Sequence, residues 1–250
     1  MSEVELRYAG ATDVGLVRDH NEDAWLASPP VFVVADGMGG HHGGDVASGI
    51  VVEEFARLAG TPGPLGAAEV SATLESCQRR ILEYAAAHGA AGPGQWYAGT
   101  TVAAAVLVED QASPRWLLVN LGDSRIYRLH DDQLVQVSVD HSVVQELLDA
   151  GLISEAEAET HPDRHVITRA LGGPELPPAD VWELPVGETG RLLLCSDGVS
   201  GLVSAAELAR LLAASPDPAA AAEGIVAAAL AAGGTDNATA VVIDVVGWPT

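Results

Sequence analysis

VFVVADGMGGHHGGD, residues Val31 to Asp45, is the stretch from which the rest of the chain is read. Its first five residues, Val31 to Ala35, are apolar without alternation, the pattern of a short strand buried on both faces. The run stops at a carboxylate, Asp36, and five of the eight residues from Gly37 to Gly44 are glycine. Asp45 then opens a segment that places Ala47, Val51, Phe55 and Leu58 on one helical face. A rigid strand thus carries a carboxylate at its exposed end, and the small residues beyond it leave the backbone open to close approach. That combination suits a bound cation.

A glycine loop between strand and helix also suggests nucleotide binding, but the residues argue against it. A phosphate-cradling P-loop needs Lys followed by Ser or Thr, and all 12 basic residues of this chain are arginine. GMGGHHGG does not match the dinucleotide fingerprint in register with the strand end either. The absence of lysine also excludes Schiff-base and kinase-type lysine chemistry.

Working outward, 250 residues are enough for one large domain or two small ones, and 48% hydrophobic with 19% charged residues describes a compact globule. Thirty-five acidic residues against 12 arginines give a net charge of -23. This disfavours nucleic acid or an anionic membrane as partner, since both call for basic patches. Where carboxylates cluster, divalent cations are the natural counter-ions. Cys77 and Cys195 fall on apolar patterns and read as reduced core residues rather than a disulfide framework. No signal peptide pattern opens the chain and no apolar run is long enough to span a bilayer, so a cytoplasmic protein is expected.

In chain order, strands are expected at Val4–Ala9, Ala24–Ala27 and Val31–Ala35, then a helix to about Ala59. A second helix places Val70, Leu74, Cys77, Ile81, Tyr84 and His88 on one face and ends at Gly89. Strands follow at Thr101–Val108, Trp116–Leu121, Ile126–Leu129 and Leu134–Val137. Residues 140–173 change character, with two short helical pieces near Val143–Ala150 and Ser154–Glu159. Ser154/Glu157 and Ser204/Glu207 both have capping-box spacing. A strand at Arg191–Ser196, helices to Ala214 and over Ala219–Ala232, and a strand at Thr239–Val246 complete the pattern. There is no internal repeat or long linker, and one domain over residues 1–250 is expected.

Asp36, Asp123, Asp197 and Asp236 all stand at strand termini beside Gly, Asn or Ser, and Glu22 with Asp23 adds a fifth cluster. One such Asp is an ordinary turn residue; their recurrence suggests a shared rim. Gathered carboxylates repel, by about 4 kcal/mol per pair at 4 Å and an effective dielectric of 20. All-oxygen ligands select hard ions, Mg²⁺ or Mn²⁺ with Ca²⁺ possible, and no Cys/His cluster offers zinc. Glu22, Asp36, Asp197 and Asp236 carry four negative charges, which two divalent ions neutralise. Such a pair generates hydroxide at neutral pH for in-line attack on phosphorus. Arg18, four residues before Glu22, is suited to hold a phosphate.

TDVGLVRDHNED (Thr12–Asp23), VVADGMGGHHGGDVAS (Val33–Ser48), GTT (Gly99–Thr101), NLGDSRIYRL (Asn120–Leu129), LCSDGVSGLV (Leu194–Val203) and GTDNATAVV (Gly234–Val242) resemble, in order and spacing, the PP2C-type metal-dependent protein phosphatases, most of all their bacterial stand-alone catalytic domains. The resemblance covers nearly the whole chain. It implies an α+β fold, a PP2C-like four-layer αββα sandwich of two central antiparallel β-sheets flanked by helix pairs. By the same resemblance, Asp36 would bridge two Mn²⁺ or Mg²⁺ ions and the Gly37 carbonyl and Glu22 would contact one of them. Asp197 and Asp236 would hold the other, and Asp123 would share a looser third ion with Asp197. Arg18 would grip the phosphate, with Asp23 and Asn237 as outer or water-mediated partners. Residues 140–173 match the flap of bacterial relatives. The implied substrates are phosphoserine and phosphothreonine on proteins, Ser/Thr kinases and their targets among them, attacked directly by a metal-bridged hydroxide in a monomeric enzyme.

Two features depart from that pattern or leave it open. Where some members carry a general-acid His directly after Asp-Gly, this chain has Met38, and His41 and His42 stand nearby. His141, His161 and His165 in the flap read as structural or surface groups. Two rival functions are a catalytically dead binding module and a metal-dependent nuclease. Retention of every acidic position opposes the first, and the lack of a basic track opposes the second.

Overall fold

The computed structural model describes residues 4–39, 43–88, 98–109, 113–131 and 133–248. Strands β1 (Glu5–Asp13), β2 (Asp23–Ser28) and β3 (Val31–Met38) are followed by helices α1 (Gly43–Ala59) and α2 (Ala67–Ala87). A two-residue strand β4 (Gly99–Thr100) precedes β5 (Val102–Glu109), β6 (Pro114–Leu121), β7 (Arg125–His130) and β8 (Gln133–Gln136). Short helices α3 (Val143–Asp149) and α4 (Glu155–Ala158) lead to β9 (Asp180–Pro185) and β10 (Arg191–Cys195). The chain ends with α5 (Asp197–Ser200), α6 (Ala205–Ala214), α7 (Pro218–Ala231) and β11 (Ala238–Gly247).

The strands form two antiparallel sheets, in the orders β1-β11-β10-β7-β8 and β2-β3-β5-β6-β9, with β4 added to β3. Alternation along β3 shows why its sequence does not alternate. Val31, Val33 and Ala35 pack with Val51, Phe55, Leu74 and Ile81 of α1 and α2. Phe32 and Val34 face the other sheet, meeting Ile126, Leu192, Leu194, Val241 and Ile243. Both faces are therefore dry, and all five residues are fully buried. At about 1.5–3 kcal/mol per large apolar side chain, this strand alone is a major contributor to the core. On the far side, Leu193 and Cys195 of β10 and Ala240 and Val242 of β11 pack against α6 and α7. The layers run helix pair, sheet, sheet, helix pair, as expected from sequence.

The structure departs from the sequence expectation at several places. Strand β3 continues three residues past Ala35, because Gly37 and Met38 pair with Thr100 and Gly99. Strand β9, DVWELP, was not expected. It is an edge strand whose outward face includes the half-exposed Val181, and its proline sits at the end where no ladder bond is lost. Helix α5 is a single turn that starts at Asp197 itself. The capping box at Ser154 and Glu157 is complete. At Ser204 only the hydroxyl half forms, since Arg210 takes both Glu207 oxygens at 2.6 and 2.7 Å. Both cysteines are free and buried, with burial pushing each thiol up to about 12. Gly89, the expected stop of α2, lies outside the described residues.

Candidate metal and phosphate site

Strand register carries the acids to one rim. In the second sheet Asp23 at the start of β2 lies directly opposite Asp36 near the end of β3. Strand β6 ends at Leu121, opposite Val102 at the start of β5, so Asp123 leaves from the same edge. In the first sheet the end of β10 pairs with the start of both β7 and β11, Cys195 meeting Arg125 and Ala240. Asp197 and Asp236 flank that end. Carboxylates from five chain segments therefore converge because antiparallel strands alternate their ends.

The Asp36 backbone is locked from both sides. Its N–H donates to Thr101 Oγ1 at 3.0 Å, and its carbonyl accepts from Thr101 N at 2.9 Å and Thr100 Oγ1 at 3.0 Å. Gly37 permits the close approach sensed in the sequence: a Cβ there would lie 2.3 Å from the Gly44 carbonyl oxygen and 2.5 Å from that of Glu22. Gly44 likewise leaves room for the Glu22 carboxylate, which a Cβ would meet at 2.8 Å. The turn before Asp123 depends on Gly122, whose φ of +115° is left-handed and whose Cβ would strike the Thr101 side chain.

The loop bearing Arg18 and Glu22 is pinned by Asn237. Its Nδ2 donates to the carbonyls of Val14 and His20, both at 2.9 Å, and its Oδ1 accepts from Glu22 N at 2.8 Å. Sequence reasoning gave Asn237 an outer role toward the ions, whereas its amide is fully engaged by backbone. Arg18 reaches across to Asp236, Nη2 to Oδ2 at 2.6 Å. Asp23 lies behind the cleft floor, where its Oδ2 accepts from Ser196 Oγ at 2.7 Å and that oxygen accepts from Thr239 N at 3.0 Å.

Crowding raises the acids' proton affinity. Burial chiefly pushes Asp23 up to about 7, with Asp197 and Asp236 adding to it and the Thr239 and Ser196 hydroxyls opposing. Burial pushes Asp123 up to about 8, aided by Asp197 and Asp140 and opposed by Arg125. Asp36 is raised well above its ordinary range, by burial first and then by Asp23, Asp197 and Asp123, with its hydrogen bond to Asp197 adding to the rise. Asp197 is also raised by burial, against the pull of that bond, His165 and Arg18. Asp36, Asp23 and Asp197 keep some surface, so the desolvation is that of a crowded pocket rather than a sealed core.

Arg18, Glu22, Asp36, Gly37, Asp197 and Asp236 line one cleft of about 850 Å³, with Met38, Asn237 and the flap residues Arg164 to Ile167. Asp123 lines an adjoining groove of about 730 Å³ that shares Arg164, His165 and Asp197 with the cleft. His41 and His42 lie outside the described residues. His141 is buried, with Nδ1 accepting from Gly122 N at 3.1 Å, so it is structural as expected. His165, read from sequence as a structural or surface group, stands on the cleft wall. The hydroxyls of Thr101, Ser124, Ser196 and Thr239 were missed as supports, although Ser124 and Ser196 sit inside the quoted motifs beside their aspartates, Thr239 lies in GTDNATAVV and Thr101 closes the GTT motif.

Among the described residues no three acidic or imidazole side chains close on a single point as ligands of one ion; the Asp36–Asp197 hydrogen bond and the Arg18–Asp236 ion pair draw their oxygens to protein partners. The donor chemistry nonetheless fits hard divalent cations. Every group is an oxygen, the glycines leave the carbonyl of residue 37 approachable, and Asp23 Oδ1 and Asp123 Oδ1 are buried without a hydrogen-bond partner. Such orphaned anionic oxygens are expensive in a protein interior unless a cation meets them.

The chain is thus a two-sheet sandwich with helices outside that carries an oxygen-lined acidic rim beside an arginine. Protein phosphatase 2C is the family whose model matches residues 17–232. The chain belongs to the protein phosphatase 2C family. It is 40% identical over 245 residues to the serine/threonine protein phosphatase PstP of Mycobacterium tuberculosis, covering 97% of this chain and 46% of that protein. The chain thus spans about half the length of that relative. It is 34% identical over 239 residues to the serine/threonine phosphatase stp of Listeria innocua, covering 93% of each. The crystal structure of the PstP catalytic domain in complex with two manganese ions superposes with a TM-score of 0.82 at 38% identity, covering 97% of this chain and 99% of that one.

Proposed function

We propose that the chain is a single-domain phosphoprotein phosphatase that hydrolyses phosphoserine and phosphothreonine with two Mn²⁺ or Mg²⁺ ions. The observation that carries this reading is the convergence of Glu22, Asp36, Asp197 and Asp236 on one cleft with Arg18 at its edge. The two manganese ions of the PstP catalytic domain support a two-ion site here. Asp36 and the Gly37 carbonyl, with Glu22 on one side and Asp197 and Asp236 on the other, would hold the ions; Asp123 and Asp197 would hold a third more weakly. When bound, the ions supply an activated water and charge compensation for the phosphoryl oxygens. Arg18 binds and orients the phosphate, a bidentate task for which its planar fork is suited. Asn237 keeps Arg18 and Glu22 in one geometry by fixing their loop to the start of β11. Thr101 fixes Asp36, and Ser196 orients Asp23 beneath the floor.

The direct test is hydrolysis of a phosphothreonine peptide by the purified protein after chelation and on readdition of Mn²⁺ or Mg²⁺. Phosphate release that depends on the added ion is the expected result. Full turnover in excess chelator would overturn the metal assignment, and no release with either ion would overturn the phosphatase reading.

A further inference from the structure

We propose that the groove beside the cleft is a subsite for a basic side chain of the phosphoprotein, read by Glu155 of α4 and Glu159 just past its end. This inference rests on the phosphatase reading above. The groove is continuous with the cleft, since Arg164, His165 and Asp197 line both. A polypeptide whose phosphate lies on Arg18 can therefore extend into it. Its size, about 730 Å³, exceeds what one extended side chain needs. Its far wall is built by α4, where Glu155, Ala158 and Glu159 fall at the spacing of one helix face.

The charges on this wall are not used by the fold. Among the described residues neither Glu155 nor Glu159 makes a side-chain hydrogen bond or ion pair, whereas Glu157 between them is consumed by the capping box with Ser154. On the opposite side, Arg125 is neutralised by Asp140, which takes its guanidinium in three contacts of 2.7 to 3.0 Å. The floor carries Asp123, only 7% exposed, whose Oδ1 has no protein partner and is left to the weakly held third ion proposed above. One cation, Arg164, remains, and it stands at the junction with the cleft, on the phosphate side. A substrate therefore meets positive charge where its phosphate enters and negative charge farther along. That gradient selects a phosphorylated segment with arginine or lysine on one side of the phosphoresidue.

The test is a set of phosphothreonine peptides carrying one arginine, scanned singly from four residues before to four after the phosphothreonine in an alanine background. The readout is kcat/KM of each relative to the all-alanine peptide, with Mn²⁺ present. Wild-type protein is expected to favour arginine on one side only, by about 1.4-fold to fivefold, the range for exposed ion pairs. The preference should shrink as ionic strength rises. Glu155→Gln/Glu159→Gln should abolish it, and Glu155→Arg/Glu159→Arg should turn it toward glutamate at the same position. The ratio cancels any change in overall turnover. No positional preference in the wild type, equal preference on both sides, or an unchanged preference in both double variants would overturn the subsite while hydrolysis of the alanine peptide continues. Failure to hydrolyse every peptide would instead overturn the phosphatase reading, and the subsite with it.

Discussion

Asn237→Ala tests whether the loop bearing Arg18 and Glu22 is held by protein or by ions. Asn237 is buried, and its side chain satisfies the Glu22 N–H and the carbonyls of Val14 and His20. Two acceptors around Nδ2 and one donor at Oδ1 fix the amide orientation without ambiguity. Truncation orphans three backbone groups, each worth about 1–3 kcal/mol when buried and unpaired. His20 is exposed, so water satisfies its carbonyl, and the expected loss is about 2–4 kcal/mol. For a chain of this size that is a fall of about 5–15 °C in melting temperature. The released loop should also raise both KM for phosphopeptide and the Mn²⁺ needed for half-maximal activity, by about tenfold.

Asn237→Asp separates this account from direct ion binding. The aspartate keeps an acceptor for Glu22 N–H but points an oxygen at two carbonyls that need donors. Melting in excess chelator should therefore fall at least as far as in Asn237→Ala. If the side chain served an ion instead, the added charge would tighten Mn²⁺ binding and leave the chelated protein untouched. A chelated Asn237→Asp protein melting within about 2 °C of wild type would refute the clamp.

Asp23 and Asp123 give a pH prediction. Both pKa values are raised in the fold, from 3.8 to about 7 and about 8, so the native state holds protons that the unfolded chain releases. Their stabilising contribution is fully present below about pH 4 and is lost as pH rises through 7 to 8. Chelated protein should melt progressively lower from pH 5 to 8, and Mn²⁺ should restore most at pH 8; a flat profile would contradict the assignment. Asp36→Asn should cost about a hundredfold or more in kcat, as for loss of one preorganised electrostatic group, and Asp123→Asn only a few-fold at saturating Mn²⁺, so steady-state rates that fall equally would remove Asp36 from its central place. Arg18→Ala should raise KM for phosphopeptide about tenfold with kcat nearly unchanged, and initial-rate curves with an unaltered KM would exclude Arg18 from phosphate binding.

How far the sequence led depended on which physical signal each residue leaves in it. Val31 to Ala35 announces a strand dry on both faces because burial on two sides forbids polar residues at every position, and β10 carries the same mark in Leu192 to Cys195. The helices α1, α2 and α6 were legible from apolar spacing. Strand β9 was not, because an edge strand with one wet face and a terminal proline leaves only a short, weak alternation. The acids were legible as types at strand ends. Their meeting was suggested by that recurrence and by the family resemblance; the registers that bring it about, β1 against β11 and Asp23 opposite Asp36, are long-range and leave no local mark. The clamp made by Asn237 left no signal for a related reason: its partners, the carbonyls of Val14 and His20, lie more than two hundred residues away in sequence.

The rim illustrates why those registers are tolerated despite the repulsion they create. Three of the acids are anchored through backbone, Asp36 by Thr100 and Thr101, Asp197 by the turn of α5 and Asp123 by the left-handed Gly122, while Asp23 and Asp236 are also held by their side chains. Moving any acid away would break ladder hydrogen bonds of strands whose other residues fill the two helix–sheet layers and the layer between the sheets. The fold therefore cannot relieve the charge by relaxing, and the relief open to it is a proton or a cation. Protons suffice at low pH, as the raised values of Asp23 and Asp123 show. Near neutrality the cheaper solution is a hard divalent ion, which meets several oxygens at once. Cation affinity here should consequently rise with pH through the same window in which the chelated protein loses stability, and a Mn²⁺ affinity independent of pH between 6 and 8 would break that link.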